Sequence, residues 1–139
     1  MRNELLLVDD DRIFNLLHTR FFENAGVSLS ALKSFRGGHE CIAYLDDHTE
    51  HEQTIFLVLL DISMPVMDGW DFLKELQSRS YKDNTRVVMV SSSVDGSDRV
   101  KAKTYSQVLD YVEKPLSPSF IEQLKTEKRI EGFFPGDRL

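Results

Sequence analysis

Long hydrophobic runs are missing from this chain. The longest unbroken apolar stretch is the six residues 55–60, far short of the ~20 a membrane span requires. Cysteine is nearly absent: the single Cys41 excludes an intramolecular disulfide and points to a reducing, cytoplasmic setting. Basic residues are in deficit, 17 Lys and Arg against 23 Asp and Glu for a net charge of -6. Nucleic-acid binding, which needs clustered cations, is therefore not expected. Prolines and glycines number 4 and 7 and are scattered, so no linker divides the chain, and no repeat or low-complexity tract is found. The opening Met1-Arg2-Asn3-Glu4, followed by four apolar residues, is too short for a signal peptide and reads as the start of a first strand.

What is present is alternation. The 139 residues suit one domain with one real core. Residues 5–8 form a continuous apolar run, as for a strand buried on both faces. Ile13, Leu16, Leu17 and Phe21 recur at helical spacing over 13–22, with Gly26 as a helix stop. Residues 27–32 alternate apolar and polar and read as a second strand. Cys41, Ile42 and Leu45 mark a second helix, 55–60 a central strand, and 70–76 a third helix. A short strand at 87–90, a helix poor in large apolar residues at 98–105, and a strand at 109–112 follow. The last helix begins at Phe120, Ile121 and Leu124 and fades near Ile130. Five strands alternating with five helices predict an α/β fold, a parallel sheet covered on both faces. The chain is read as one domain over 1–131 and a tail over 132–139, in which Phe133-Phe134 has the character of a docking element or of simple terminal disorder.

In open parallel sheets, ligands sit beyond the carboxyl ends of the strands. Here the first strand ends in Asp9-Asp10-Asp11, the third in Asp61, the fourth in Ser91-Ser92-Ser93 and the fifth in Glu113-Lys114-Pro115. Carboxylates brought together repel, and a proton or cation must compensate. Hard oxygen ligands suit Mg²⁺, Lys114 supplies a flexible point charge, and Ser91 a hydroxyl. A carboxylate nucleophile, a metal, an ammonium and a hydroxyl are the parts for phosphoryl transfer onto aspartate. Taken singly each residue has a plainer role: Asp11 as a helix cap, Ser91 and Lys114-Pro115 as loop residues. It is the joint placement that argues for chemistry.

These residues resemble a known family, the receiver domains of two-component response regulators. The matching pieces are Leu-Leu-Val-Asp-Asp-Asp at 6–11, Leu-Leu-Asp-Ile-Ser-Met-Pro-Val-Met-Asp-Gly at 59–69, Val-Ser-Ser at 90–92 and Tyr-Val-Glu-Lys-Pro at 111–115. The resemblance implies a doubly wound, flavodoxin-like sheet of strand order 2-1-3-4-5. It implies Asp61 as phospho-acceptor, and Asp9, Asp10, Asp61 and the backbone carbonyl of Ser63 around Mg²⁺. Ser91 matches the switch hydroxyl, Lys114 the phosphate-pairing lysine, and Tyr111 the aromatic ring that swings inward, although an aromatic in a strand also serves simple packing. Pro115 matches a proline that follows a cis peptide bond. Gln107-Val108 stands where many relatives carry Gly-Ala, and Ser63 and Ser93 occupy positions that tune hydrolysis in the family.

The function so implied is that of a stand-alone phosphorelay response regulator, not an enzyme beyond its own phosphorylation and dephosphorylation. It would receive its phosphoryl group from a sensor histidine kinase or histidine phosphotransfer protein. Output would go by contact to a downstream protein, as a monomer or phosphorylation-dependent dimer, with the weakly apolar fourth helix facing the partner. A haloacid-dehalogenase-like phosphatase would want a second Asp where Ser63 stands. Nucleotide-binding glycine loops are absent. His39-Glu40 and His51-Glu52 lack a second histidine at zinc spacing and read as exposed. The remaining rival is a binding module of the same fold that is never phosphorylated.

Overall fold

Each predicted apolar run lies in or beside a strand, and the strands are β1 (Arg2–Val8), β2 (Leu32–Phe35), β3 (Thr54–Asp61), β4 (Thr85–Ser91) and β5 (Val108–Glu113). The computed structural model describes residues 2–93 and 95–134. All neighbouring strands pair in parallel, in the order β2-β1-β3-β4-β5. Five helices connect them: α1 (Arg12–Asn24), α2 (Gly38–Asp47), α3 (Gly69–Gln77), α4 (Gly96–Ala102) and α5 (Pro118–Leu124). Among the described residues no helix is long and apolar enough to cross a membrane.

The continuous apolar runs are explained by the two covered faces. Leu6, Val8, Val58 and Leu60 point into a core shared with Leu45, Phe72 and Leu76 of α2 and α3. Leu5, Leu7, Leu57 and Leu59 point the other way, into a core with Phe22, Phe120, Ile121 and Leu124 of α1 and α5. Period-two side-chain alternation therefore leaves no position for a polar residue within 5–8 and 55–60, the segments covered on both faces. Each leucine so buried contributes about 1.5–3 kcal/mol over leaving it in water.

Three expectations are corrected. The second strand is not at 27–32 but at Leu32–Phe35. Gly26, at φ +106°, ends the α1 segment, Val27 drops into the core, and Ser28 caps a 3-10 turn over Leu29–Ala31. Leu29 is 59% exposed, so its apolar character marked no buried strand face. The pairing Val8↔Phe35 instead aligns the ends of the two strands. The fourth helix starts earlier than 98 because the Asp95 side chain caps it at Ser97 N–H, 2.8 Å away, and it gives way to turns before Tyr105. The tail is neither free nor a docking element at its start. Helix α5 is short and leads into a 3-10 turn, Lys128–Ile130, after which Phe133 and Phe134 are buried, Phe134 with its ring 6.3 Å from that of Phe22. Residues 135–139 of the predicted tail lie outside the described residues.

Candidate functional site

The end of β3 delivers Asp61, and the loop after it is shaped to hold that residue still. Met64 and Met67 are buried in the core. Asp68 caps α3 reciprocally with Asp71, the Asp71 N–H donating to Asp68 Oδ1 at 2.8 Å and the Asp68 N–H to Asp71 Oδ2 at 3.1 Å. Gly69 packs so closely on the strand end that a Cβ there would sit 2.9 Å from Ile62 Cα and 3.1 Å from Asp61 O. Much of the long motif at 59–69 is thus a mounting for one carboxylate. Its exposed crest, Val66, adopts φ 71°, a costly conformation for a β-branched residue.

Asp9 follows β1 and is nearly as buried as Asp61, whereas Asp10 is exposed. Asp9 Oδ1 accepts the Asp11 N–H at 2.9 Å, and Asp11 caps α1 at Ile13 N–H as its position predicted. One carboxylate oxygen each from Asp9, Asp10 and Asp61 lies within 4.8 Å of the others. Lys114 reaches in from the end of β5, its Nζ 3.0 Å from Asp9 Oδ2 and 3.4 Å from Asp61 Oδ1. Burial, and then the charge of Asp9, push the Asp61 carboxyl up to about 6, with Lys114 and the Ser63 N–H working against the rise. Burial alone would lower the Lys114 ammonium, but Asp9 and Asp61 hold it above its ordinary value. Among the described residues, this cluster thus sets three carboxylates against the one ammonium that bridges Asp9 and Asp61. Uncompensated hard oxygen donors, one of them open to solvent, fit a small divalent cation with waters and a phosphate oxygen in its shell.

The remaining predicted residues ring this point. Ser91 closes β4 with its Oγ 3.3 Å from the Ser93 N–H, and its carbonyl accepts the Lys114 N–H at 2.8 Å. Ser63 donates its N–H to Asp61 Oδ1 at 3.4 Å. The Lys114-Pro115 peptide bond is cis, as predicted. Tyr111 already lies inside, buried, its hydroxyl donating to Asp98 Oδ2 of α4 at 3.3 Å.

Residues that sequence reasoning missed support the site from α1. Asn15 donates through Nδ2 to the Asp9 carbonyl at 3.0 Å and the Phe35 carbonyl at 3.2 Å, tying the ends of β1 and β2 together. The Lys114 Nζ lies 4.3 Å from the centroid of the Phe14 ring. His18 is buried one turn further on. Neither Asn15 nor His18 carried a sequence signal, because the apolar spacing at 13, 16, 17 and 21 marks the opposite side of α1 from the buried Asn15, His18 and Phe22. Beside the site a groove of about 660 Å³ runs between α1 and β2, lined by Arg12, Ile13, Leu16 and Arg36; Ile13 and Leu16 are 74% and 60% exposed. Of the histidine pairs, His39 is exposed as expected. His51 is not: its ring packs 4.8 Å from that of Tyr81.

Comparison with known proteins identifies a family and a fold. Residues 5–125 match the family model described as the response regulator receiver domain. The chain is 27% identical over 130 residues to the regulatory protein VanRc of Enterococcus gallinarum, covering 93% of this chain and 51% of that protein. It is 32% identical over 115 residues to the transcriptional regulatory protein CpxR of Klebsiella pneumoniae, covering 83% of this chain and 44% of that one. The chain thus spans about half the length of these curated relatives. A crystal structure of a two component response regulator from Cytophaga hutchinsonii superimposes with TM-score 0.76 at 27% identity, over 88% of this chain and 93% of that one.

Proposed function

Since the chain belongs to the response regulator receiver family of two-component systems, we propose that Asp61 accepts a phosphoryl group from a phosphohistidine and that the surface around α4, β5 and α5 reports it. The observation that carries this reading is the charge imbalance at the strand ends: three clustered carboxylates and one bridging ammonium. Such a site gains from an incoming group only if that group brings cationic compensation or is held by it.

With its carboxyl at about 6, Asp61 is mostly ionised at pH 7 and is a competent nucleophile. Its oxygen attacks phosphorus in line, forming the P–O bond as the P–N bond to the donor histidine breaks. Asp9, Asp10, Asp61 and the Ser63 carbonyl would hold Mg²⁺, which when bound neutralises the charge of the phosphoryl oxygens. Lys114 moves from bridging Asp9 and Asp61 to pairing with an equatorial oxygen. Ser91 gives its hydroxyl to another, leaving the Ser93 N–H. Tyr111, beside Ser91 and bonded to Asp98, transmits that change to α4. Moving a two-state surface from 1:99 to 99:1 takes about 5.5 kcal/mol, the sum of a few charge-assisted hydrogen bonds at ~1.5–3 kcal/mol each.

The donor is a sensor histidine kinase or a histidine phosphotransfer protein. The α1–β2 groove offers such a donor apolar contact at the exposed Ile13 and Leu16 and two cations, Arg12 and Arg36, for acidic residues. The chain acts in the cytoplasm by contact with a downstream protein, as a monomer or a phosphorylation-dependent dimer. The catalysis proposed for this domain is of its own phosphorylation and dephosphorylation.

The test is intact mass after incubation with acetyl phosphate, with and without Mg²⁺. One added phosphoryl group that requires Mg²⁺ and is absent in Asp61→Asn is the expected result. No added mass, together with no quenching of Trp70 by Mg²⁺, overturns the reading and leaves a constitutive interaction module.

A further inference from the structure

Lys114 is the cation on which this site depends, yet it stands on the last turn of chain before α5, where a strand has just ended. Its backbone N–H is fixed on the Ser91 carbonyl at 2.8 Å. The next residue, Pro115, has no N–H to give. The first donor beyond it is the N–H of Leu116, and this bond goes across the molecule: Leu116 N donates to His18 Nε2 of α1 at 3.2 Å. The two residues are 98 positions apart in sequence and both are buried, His18 to 1% exposure. The same face of α1 carries Phe14, four residues earlier, with its ring centroid 6.0 Å from that of His18 and 4.3 Å from Lys114 Nζ. One helix therefore grips both ends of the lysine, the backbone just beyond it and the ammonium at its tip.

We infer that His18 is a positioning residue for Lys114: by accepting the Leu116 N–H it holds the turn from which the ammonium reaches Asp61, while Phe14 guides the side chain. The inference rests on Asp61 being the phospho-acceptor. The chemistry of the ring fits. Accepting a hydrogen bond at Nε2 requires an unprotonated nitrogen there, and burial, then the neighbouring Lys114 charge, hold His18 down at about 4. The ring is thus a neutral, permanent acceptor at the pH of a cell. An aliphatic residue would fill the same space between Phe14 and Phe21 but would leave a buried N–H unpaired, and such groups are rare in folded proteins.

Packing alone does not account for this arrangement, and four variants separate the two roles. His18→Leu keeps the volume and loses the acceptor. His18→Gln restores an acceptor at the reach of Nε2. Phe14→Leu removes the guiding ring from a half-exposed position and leaves the buried bond intact. Leu124→Ala, in the same core but away from the site, is the control for lost stability. Each is labelled with acetyl phosphate and Mg²⁺, and the rate constant at saturating donor is read by intact mass; hydrogen exchange of the Leu116 amide is read without donor or metal. We expect His18→Leu to slow labelling about tenfold and deprotect the Leu116 amide. His18→Gln should stay within about twofold of wild type on both readouts, Phe14→Leu should slow labelling about threefold, and Leu124→Ala should leave the rate unchanged. Wild-type labelling in His18→Leu, equal slowing in Leu124→Ala, or slow labelling in His18→Gln despite a protected Leu116 amide overturns the positioning role alone. A wild-type protein that takes no phosphoryl group overturns the phospho-acceptor reading and this inference with it.

Discussion

At the edge where the strands begin, Glu4 is met by the Tyr44 hydroxyl and by His48 Nε2, 2.8 Å away, and Asp46 by Tyr81 at 2.8 Å and Arg79 at 3.0 Å. At the edge where they end, Asp9 and Asp61 share Lys114 while Asp10 stands beside them without an ammonium of its own in the cluster. Acidic groups from strand and helix thus stand at both ends of the sheet, matched at one and undercompensated at the other. Matched polar groups hold a fold together with little left to offer. Undercompensated ones cost stability, and that cost is recovered when a ligand arrives. The difference locates function more directly than the presence of charge does, since acidic residues occur at both ends.

The largest effect is expected from removing the shared cation. Lys114→Met should abolish labelling by acetyl phosphate and cost about 3 kcal/mol in urea unfolding, because a buried pair loses one partner. If it leaves stability unchanged, the strand-end carboxylates are better solvated than the burial of Asp9 and Asp61 implies. Mg²⁺ comes next. At a hundredfold excess over its dissociation constant it should stabilise the wild type by about 2.7 kcal/mol, and far less in Asp10→Asn, read as a shift in thermal midpoint. The opposite edge supplies the contrast. Glu4→Ala strips Tyr44 and His48 of their acceptor and should cost about 1–3 kcal/mol, with no change in labelling rate. Arg79→Ala should cost less than about 1 kcal/mol, since that pair is largely solvent-exposed.

The strands and the acidic cluster were legible because both depend on pattern: apolar runs that stop, followed by residues whose chemistry makes sense together. Asp61, Asp9 and Lys114 declared themselves by what each run ended on. The second strand was misplaced because Val27, Leu29 and Ala31 alternate with polar residues as a strand would, while Ser28 and Gly26 build a capped turn instead. Phe133 and Phe134 carried no periodicity, so their burial against α1 was invisible until α5 proved too short to cover that core. His18 was hidden for a different reason: a lone histidine in an amphipathic helix has no sequence signature, and its partner is a backbone N–H brought close only by the fold.

Asp61 is held ionised at a cost, and urea unfolding of the wild type and Asp61→Asn without Mg²⁺ tests that directly. A carboxyl whose value rises from 3.8 to about 6 on folding binds more protons folded than unfolded between those values. Its stabilising contribution is therefore present below about pH 4 and lost as pH climbs through about 6. At pH 7 the ionised group costs on the order of 2–3 kcal/mol. Asp61→Asn should be the more stable protein by that amount at pH 7, with the margin closing toward pH 4. An Asp61→Asn protein no more stable than wild type at pH 7, or a margin independent of pH, would contradict the claim that the strand ends hold undercompensated charge.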